Sequence, residues 1–146
     1  VIRDAVQLLQ NDAIARGMRM SVHYNANPAT VYGDKVQLQQ VMLNLLLNAF
    51  DAMDGRAASD RMVAVFITLQ GPRALRVAVR DHGAGLPSDR LALIFNPFVT
   101  SKPEGLGLGL SISRTIIEMH GGRLWAENNT DRGATFYFTL PVGDAA

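Results

Sequence analysis

Two glycine clusters contain the residues whose types and spacing are best suited to chemistry. The first, residues 81–86, reads Asp-His-Gly-Ala-Gly-Leu and directly follows an alternating apolar run, Leu75, Val77 and Val79. A period of two places these three side chains on one face of a strand, and Asp81 falls on the same face. A carboxylate in an apolar layer is costly unless it accepts hydrogen bonds, so the pattern predicts a specific partner for Asp81.

The second cluster, residues 105–110, reads Gly-Leu-Gly-Leu-Gly-Leu and opens a helical apolar pattern that ends at Gly121. Glycines at a helix start expose backbone N–H groups to an anion. Taken singly, the clusters also fit a polar turn and a flexible hinge. Together they indicate a nucleotide-binding site. In this interpretation Asp81 accepts a hydrogen bond from the exocyclic amine of a base, and the helix start binds the phosphates. Neither a P-loop nor a dinucleotide fingerprint fits, because no Gly-Lys-Ser/Thr follows the glycines and no strand precedes Gly105.

A long helix is predicted for residues 35–53, with Asp34 as its N-cap. It is apolar nearly all round but keeps one polar stripe. The stripe consists of Gln37, Gln40, Asn44, Asn48 and Asp51. Solvated helix faces are usually rich in Lys and Glu, whereas this stripe is mostly amides. A ligand cavity is therefore favoured over solvent as its environment.

The remaining patterns predict alternating strands and helices. Helices are expected at 1–18 and 111–120, and strands at 20–24, 30–32, 62–70, 74–81, 123–128 and 134–140. The strands at 62–70 and 74–81 are close enough for an antiparallel hairpin. Residues 87–105 hold no long periodic pattern apart from a short helix at 89–95. Their position between two glycine clusters favours a functional lid.

Composition limits the class of protein. The chain has 146 residues, 48% of them hydrophobic, which suits one globular domain over residues 1–146. A formal net charge of +1 offers no electrostatic footprint for nucleic acid or for a membrane surface. The absence of cysteine excludes disulfides and fits a cytoplasmic location. Since residue 1 is Val and not Met, we expect a fragment of a longer protein.

Five segments in order resemble the N, G1, F and G2 boxes of the catalytic, ATP-binding domain of bacterial sensor histidine kinases. They are Asn44-Leu-Leu-Leu-Asn48-Ala, Asp81-x-Gly83-x-Gly85-Leu86, Ile94-Phe-Asn-Pro-Phe98, Thr100-Ser-Lys102 and Gly105-x-Gly107-x-Gly109-Leu110. The resemblance spans nearly the whole chain. It implies an α+β fold of Bergerat type, a two-layer α/β sandwich. Its mixed, mostly antiparallel sheet would have about five strands, with three main helices on one face and a mobile ATP lid.

The resemblance also implies roles for individual residues toward ATP and Mg²⁺. Asn48 would be the Mg²⁺ ligand, Asp81 would accept the adenine N6 amine, and Lys102 would reach the terminal phosphates. Asn44, Asn48 and Lys102 would form the catalytic group. The implied nucleotide-binding set is Asn48, Ala52, Asp81, Gly83, Gly85, Leu86, Lys102, Gly105, Gly107, Leu108, Gly109 and Leu110.

The implied reaction moves the ATP γ-phosphate to a histidine outside this chain. The family's phosphoacceptor is a histidine followed by an acid on a helical hairpin, and His23, His82 and His120 do not fit that pattern. We interpret these three as structural or solvated. The implied partners are the dimerisation and phosphotransfer domain of the same protein and the receiver domain of a response regulator. Neither nucleic acid nor direct membrane contact by this domain is expected.

Two departures from related sequences affect the functional hypothesis. Members of the superfamily that hydrolyse ATP or phosphorylate serine have a glutamate base where this chain has Asn44, and an amide cannot take a proton at neutral pH. Ala134 stands where a hydroxyl often helps to hold adenine, so a modest affinity is expected. A free-standing serine kinase or ATPase and a degenerate interaction module are the alternatives.

Overall fold

The computed structural model describes residues 17–24, 33–53, 62–71, 74–83, 109–130 and 132–142. These residues form five strands and two helices. In chain order they are β1 (Arg19–Tyr24), α1 (Lys35–Ala52), β2 (Met62–Gln70), β3 (Ala74–Arg80), α2 (Gly109–Met119), β4 (Arg123–Asn128) and β5 (Ala134–Pro141). The expected helices and strands in this part of the chain are confirmed to within about two residues at each end.

The five strands form one mixed sheet in the order β1-β2-β3-β5-β4. β1 pairs with β2 in parallel, and the other three pairs are antiparallel. The β2–β3 pair is the expected hairpin, and the two strands expected at 123–128 and 134–140 pair with each other as β4 and β5. Because β5 inserts between β3 and β4, residue 81 at the end of β3 lies beside residue 134 at the start of β5.

Helices α1 and α2 cover one face of this sheet. Apolar residues of α1, among them Phe50 and Met42, belong to one buried core with Val65 of β2 and Val79 of β3. Ile117 of α2 belongs to the same core. Strand residues two apart share the buried face, as the alternation in the sequence predicts. The α+β, two-layer expectation is therefore confirmed, with two of the three expected helices among the described residues.

Local signals explain where the described helices begin and end. Asp34 caps α1, since its Oδ1 accepts the N–H groups of Val36 at 2.9 Å and Gln37 at 3.1 Å. Gly121 has a φ of 82° and follows the last turn of α2, a conformation that favours glycine. Gly17, near the end of the helix expected at 1–18, has a φ of 69°.

Several predictions fall on residues outside this description. They are residues 1–16 of the helix expected at 1–18, the strand at 30–32, and the lid at 87–105 with its short helix.

Candidate functional site

Asp81 is a buried carboxylate at the end of β3, with only 2% of its surface exposed. Its Oδ1 accepts the N–H of Gly83 at 2.9 Å and the N–H of Ala134 at 3.1 Å. Its own backbone N–H donates to the Ala134 carbonyl at 3.0 Å. Among the described residues, these two donors to the carboxylate reach the same oxygen, Oδ1. The expected burial and the expected need for donors are both confirmed.

Burial raises the pKa of Asp81 above its ordinary value, because a charged carboxylate loses its hydration. The N–H groups of Gly83 and Ala134 and the nearby His82 act in the opposite direction, since they favour the ionised form. A buried acid with a perturbed pKa is a candidate for a binding role.

The turn after Asp81 is pressed against the end of α1. A Cβ added at Gly83 would lie 2.4 Å from the Ala52 carbonyl oxygen, a separation that side chains do not tolerate. Only glycine therefore fits at residue 83 with α1 in this position. The contact brings Ala52 next to the turn that carries Asp81, and the family resemblance placed both residues in the nucleotide-binding set.

The middle of α1 contacts the beginning of α2. The Asn44 side-chain amide donates to Ser113 Oγ at 3.1 Å and lies 3.4 Å from the Gly109 carbonyl oxygen. Ser113 is fully buried. One member of the amide stripe is thus joined to the helix that the second glycine cluster opens.

Asn44, Asn48 and Ala52 form one row along α1, because residues four apart lie one above the other on a helix. The row is about 12 Å long, from the rise of 1.5 Å per residue. Asn44 at one end meets the start of α2, and Ala52 at the other meets Gly83. Asn48 lies between these two contacts with a half-buried side chain. The row therefore links the two glycine clusters, which are far apart in sequence.

The other nucleotide-binding predictions divide into two groups. Gly109 and Leu110 form the first residues of α2. The first N–H groups of an α-helix have no partner inside the helix, which is why this end of a helix suits an anion. The rest of the set lies outside the described residues, and this group consists of Gly85, Leu86, Lys102, Gly105, Gly107 and Leu108.

Sequence reasoning did not anticipate the polar contacts behind Asp81. Asn129 Nδ2 donates to the Asp81 carbonyl at 3.1 Å and to the Arg132 carbonyl at 2.9 Å. The hydroxyl of Thr135, which is buried, donates to Asn129 Oδ1. The sequence carried one usable signal, since an Asn at the start of a loop that ends in glycine commonly bonds to the loop backbone. Ser113, the partner of Asn44, was likewise missed.

The three histidines have contacts that suit structural roles. His120 Nδ1 lies 2.7 Å from the Ile116 carbonyl oxygen, and its Nε2 accepts the Asp34 N–H at 3.0 Å. The ring therefore carries its proton on Nδ1 and joins the end of α2 to the cap of α1. His82 Nδ1 is 3.0 Å from the Met62 carbonyl, and the exposed His23 stacks on Phe66.

Neither described helix is long and apolar enough to cross a membrane. Within the described ranges, no group of three or more His, Cys, Asp or Glu side chains comes together as a metal site. The half-buried amide of Asn48 supplies one hard oxygen, which suits a magnesium ion held mainly by phosphate oxygens and water. The donor set therefore fits Mg²⁺ bound together with a nucleotide.

A mixed sheet covered on one face by helices, with a buried acid beside the end of the long helix, defines a nucleotide-binding ATPase-type domain. The family described as histidine kinase-, DNA gyrase B-, and HSP90-like ATPase matches residues 33–144, and this chain belongs to that family. Within the family, its relatives and its sequence boxes are those of the ATP-binding domain of sensor histidine kinases.

Similar proteins of known name are sensor kinases. The chain is 43% identical over 132 residues to the sensor protein FixL of Bradyrhizobium diazoefficiens, covering 89% of this chain and 26% of FixL. It is 36% identical over 143 residues to the sensor histidine kinase TmoS of Ectopseudomonas mendocina, covering 97% of this chain and 15% of TmoS. The chain thus spans less than a third of the length of these relatives.

Solved structures agree with this assignment. The catalytic domain of histidine kinase ThkA superposes with a TM-score of 0.83 at 30% identity, covering 96% of this chain and 89% of that one. ThkA has also been solved in complex with the response regulator protein TrrA, with a TM-score of 0.82 at 29% identity and coverage of 97% and 39%. Full-length ShkA in complex with AMPPNP gives a TM-score of 0.85 at 27% identity, covering 99% of this chain and 30% of ShkA.

Proposed function

We propose that this chain binds Mg²⁺-ATP and transfers its γ-phosphate to a histidine on the dimerisation domain of the same protein. The observation that carries the proposal is the row along α1 that ends at Gly83, beside the buried Asp81, and at Gly109, the start of α2. An acceptor for a purine amine and a helix start for phosphates stand at the two ends of this row.

Each end of the site has a separate task in the proposal. Asp81 Oδ2 accepts the adenine N6 amine, and Ala52 and Leu86 lie beside the ring. The glycine-rich segment 105–109 and the first N–H groups of α2, at Gly109 and Leu110, hold the phosphates. The glycines at 83 and 85 allow the base to approach the backbone closely.

Phosphoryl transfer needs positioning and charge neutralisation more than covalent chemistry from the protein. Asn48 contributes an oxygen ligand to Mg²⁺, and Lys102 places a positive charge at the terminal phosphates. Bound Mg²⁺ would neutralise developing charge on the phosphate oxygens. The bond from the γ-phosphorus to the β,γ-bridging oxygen breaks, a phosphorus–nitrogen bond forms on the histidine, and ADP leaves.

The hydrogen bonds of Asn44 support histidine over serine or water as the acceptor. Its amide nitrogen donates to Ser113 and to the Gly109 carbonyl, and a carboxamide does not take up a proton at neutral pH, so this side chain is not a general base. An imidazole nitrogen is nucleophilic without removal of a proton, whereas serine or water needs a base. The proposal further includes transfer to a receiver domain of a response regulator, supported by the ThkA–TrrA complex, and a cytoplasmic place of action.

Labelling of the full-length protein with γ-³²P-ATP tests this reaction. We expect label that is stable in alkali and lost in acid, as a phosphorus–nitrogen bond requires, and little steady release of phosphate. Label that survives acid and is lost in alkali would identify a serine kinase, and sustained phosphate release without protein label would identify an ATPase. Calorimetry showing no heat with millimolar Mg²⁺-AMPPNP would favour a degenerate interaction module.

A further inference from the structure

The loop between β4 and β5 is closed by Asn129 and touches the backbone of Asp81. The Asn129 backbone N–H donates to the Gly133 carbonyl at 2.9 Å. Its side-chain amide donates both to the Arg132 carbonyl in the same loop and to the Asp81 carbonyl across the sheet. One side chain therefore fixes the loop and attaches it to the residue proposed to read adenine.

Asp81 stands one residue beyond β3, where the regular ladder of the sheet has ended. Its carbonyl accepts from the Asn129 side-chain amide at 3.1 Å. Its carboxylate is held by N–H groups of Ala134 and Gly83. Without Asn129, the described contacts hold the peptide group after Asp81 less firmly, so the carboxylate could rotate with it.

Gly133 permits this close approach. A Cβ at residue 133 would lie 2.4 Å from the Asp81 carbonyl oxygen and 2.7 Å from its Oδ1, and the backbone has a φ of 82°. Asn129 in turn is oriented by the hydroxyl of Thr135, which donates to its Oδ1 and so fixes which end of the amide faces Asp81. Thr135 is only 4% exposed, so its hydroxyl has little access to bulk solvent as an alternative partner.

We propose that Asn129, oriented by Thr135, is a positioning residue that sets the direction of the Asp81 carboxylate and thereby the preference for adenine over other purines. The inference rests on the proposed function of Asp81. Asn129 does not contact the base in this account, because its side-chain atoms are engaged by Asp81, Arg132 and Thr135.

Calorimetric binding of Mg²⁺-ADP and Mg²⁺-IDP to this chain separates positioning from general stability. Hypoxanthine carries a carbonyl where adenine carries the N6 amine, so a well-directed Asp81 carboxylate favours ADP. We expect Asn129→Ala to weaken the binding of ADP by about 2- to 10-fold, the effect of one hydrogen bond, and to leave the binding of IDP nearly unchanged. The ratio of the dissociation constant for IDP to that for ADP therefore falls in Asn129→Ala. Thr135→Val is expected to lower this ratio by a smaller factor.

Thr139→Val is the matched control, because Thr139 lies four residues further along β5 and its hydroxyl oxygen accepts only from the Arg123 N–H among the described contacts, at 3.2 Å. The ratio of the dissociation constants for IDP and ADP in Thr139→Val should equal that of the wild type. If Asn129→Ala and Thr135→Val each weaken the binding of ADP and of IDP equally, the inference is overturned and Asn129 has a merely structural role. Thr135→Val decides the matter if Asn129→Ala does not fold.

Asp81→Asn shows whether the underlying function holds. If this variant loses the ADP preference and Asn129→Ala and Thr135→Val keep it, the positioning role is wrong and the adenine site stands. If Asp81→Asn keeps the preference, the adenine role of Asp81 fails first, and the positioning role fails with it.

Discussion

Gly83 approaches the Ala52 carbonyl so closely that a Cβ at residue 83 would lie 2.4 Å from the oxygen. This contact fixes the Asp81 turn against the end of α1. Because the obstacle is backbone, it cannot move aside as the end of a flexible side chain would. The relative position of Asp81 and the long helix therefore depends on the absence of a side chain at residue 83.

Gly83→Ala should accordingly destabilise the domain by about 1–3 kcal/mol, the usual cost of overpacking a well-packed site. Urea unfolding measures this change. Gly109→Ala is the control for stability, since a Cβ there would meet Asn44 Cγ at an ordinary 3.9 Å. Similar stability losses in the two variants would contradict the assigned contact.

Ser113→Ala should lower the free energy of unfolding by about 1–3 kcal/mol, because the Asn44 amide loses a buried acceptor. Chemical denaturation compares it with Thr115→Ala on the same helix. The Thr115 hydroxyl is exposed and bonds only to the Ser111 carbonyl among the described contacts, so its loss should cost less than about 0.5 kcal/mol. If the free energy of unfolding of Ser113→Ala equals that of the wild type, the hydrogen bond between the two helices contributes nothing to stability.

His120→Ala should destabilise by about 0.5–1.5 kcal/mol, the net effect of one hydrogen bond, since the exposed Asp34 N–H loses its acceptor at the start of α1. The Asp34 amide should also exchange with solvent faster, which hydrogen-exchange NMR can follow. His23→Ala is the comparison, because its exposed ring contacts only Phe66, by stacking, and the Ser21 hydroxyl, at 3.1 Å, among the described contacts. Unchanged exchange at Asp34 would show that His120 does not hold the cap.

The pH dependence of stability should reveal the raised pKa of Asp81. Between the ordinary aspartate pKa of about 3.9 and the raised folded value, the folded state keeps a proton that the unfolded state has lost. The wild type therefore loses stability as the pH rises through this window. Asp81→Asn lacks this term, so its stability relative to the wild type should be greater at pH 7 than at pH 4. A difference that is constant with pH would contradict the raised pKa.

Much of this architecture could be predicted from the sequence because periodicity is a local signal. Alternation in β3 placed Asp81 in the apolar layer, and the sequence also predicted the Asp34 cap, the amide stripe and the strands β4 and β5. The insertion of β5 between β3 and β4 was not, since strand order depends on contacts across the whole domain. The hydrogen bonds from Asn129 to Asp81 and from Asn44 to Ser113 could not be predicted from the sequence for the same reason.

The family resemblance, and not spacing alone, selected ATP and histidine chemistry. Spacing indicated only a nucleotide near Asp81 and Gly105. The match of residues 33–144 to the ATPase family confirms the class of domain. The individual roles of Asn48 and Lys102 stay predictions.

The most direct test of the account is the affinity of Mg²⁺-AMPPNP for the wild type and for Asp81→Asn, measured by calorimetry with unfolding curves for both proteins. Asparagine presents an N–H to the adenine amine in place of an acceptor. We expect binding about 10- to 100-fold weaker, the loss of one bond to a charged group, with no loss of stability at pH 7. Equal affinity in the two proteins would remove Asp81 from the nucleotide site and contradict the central claim.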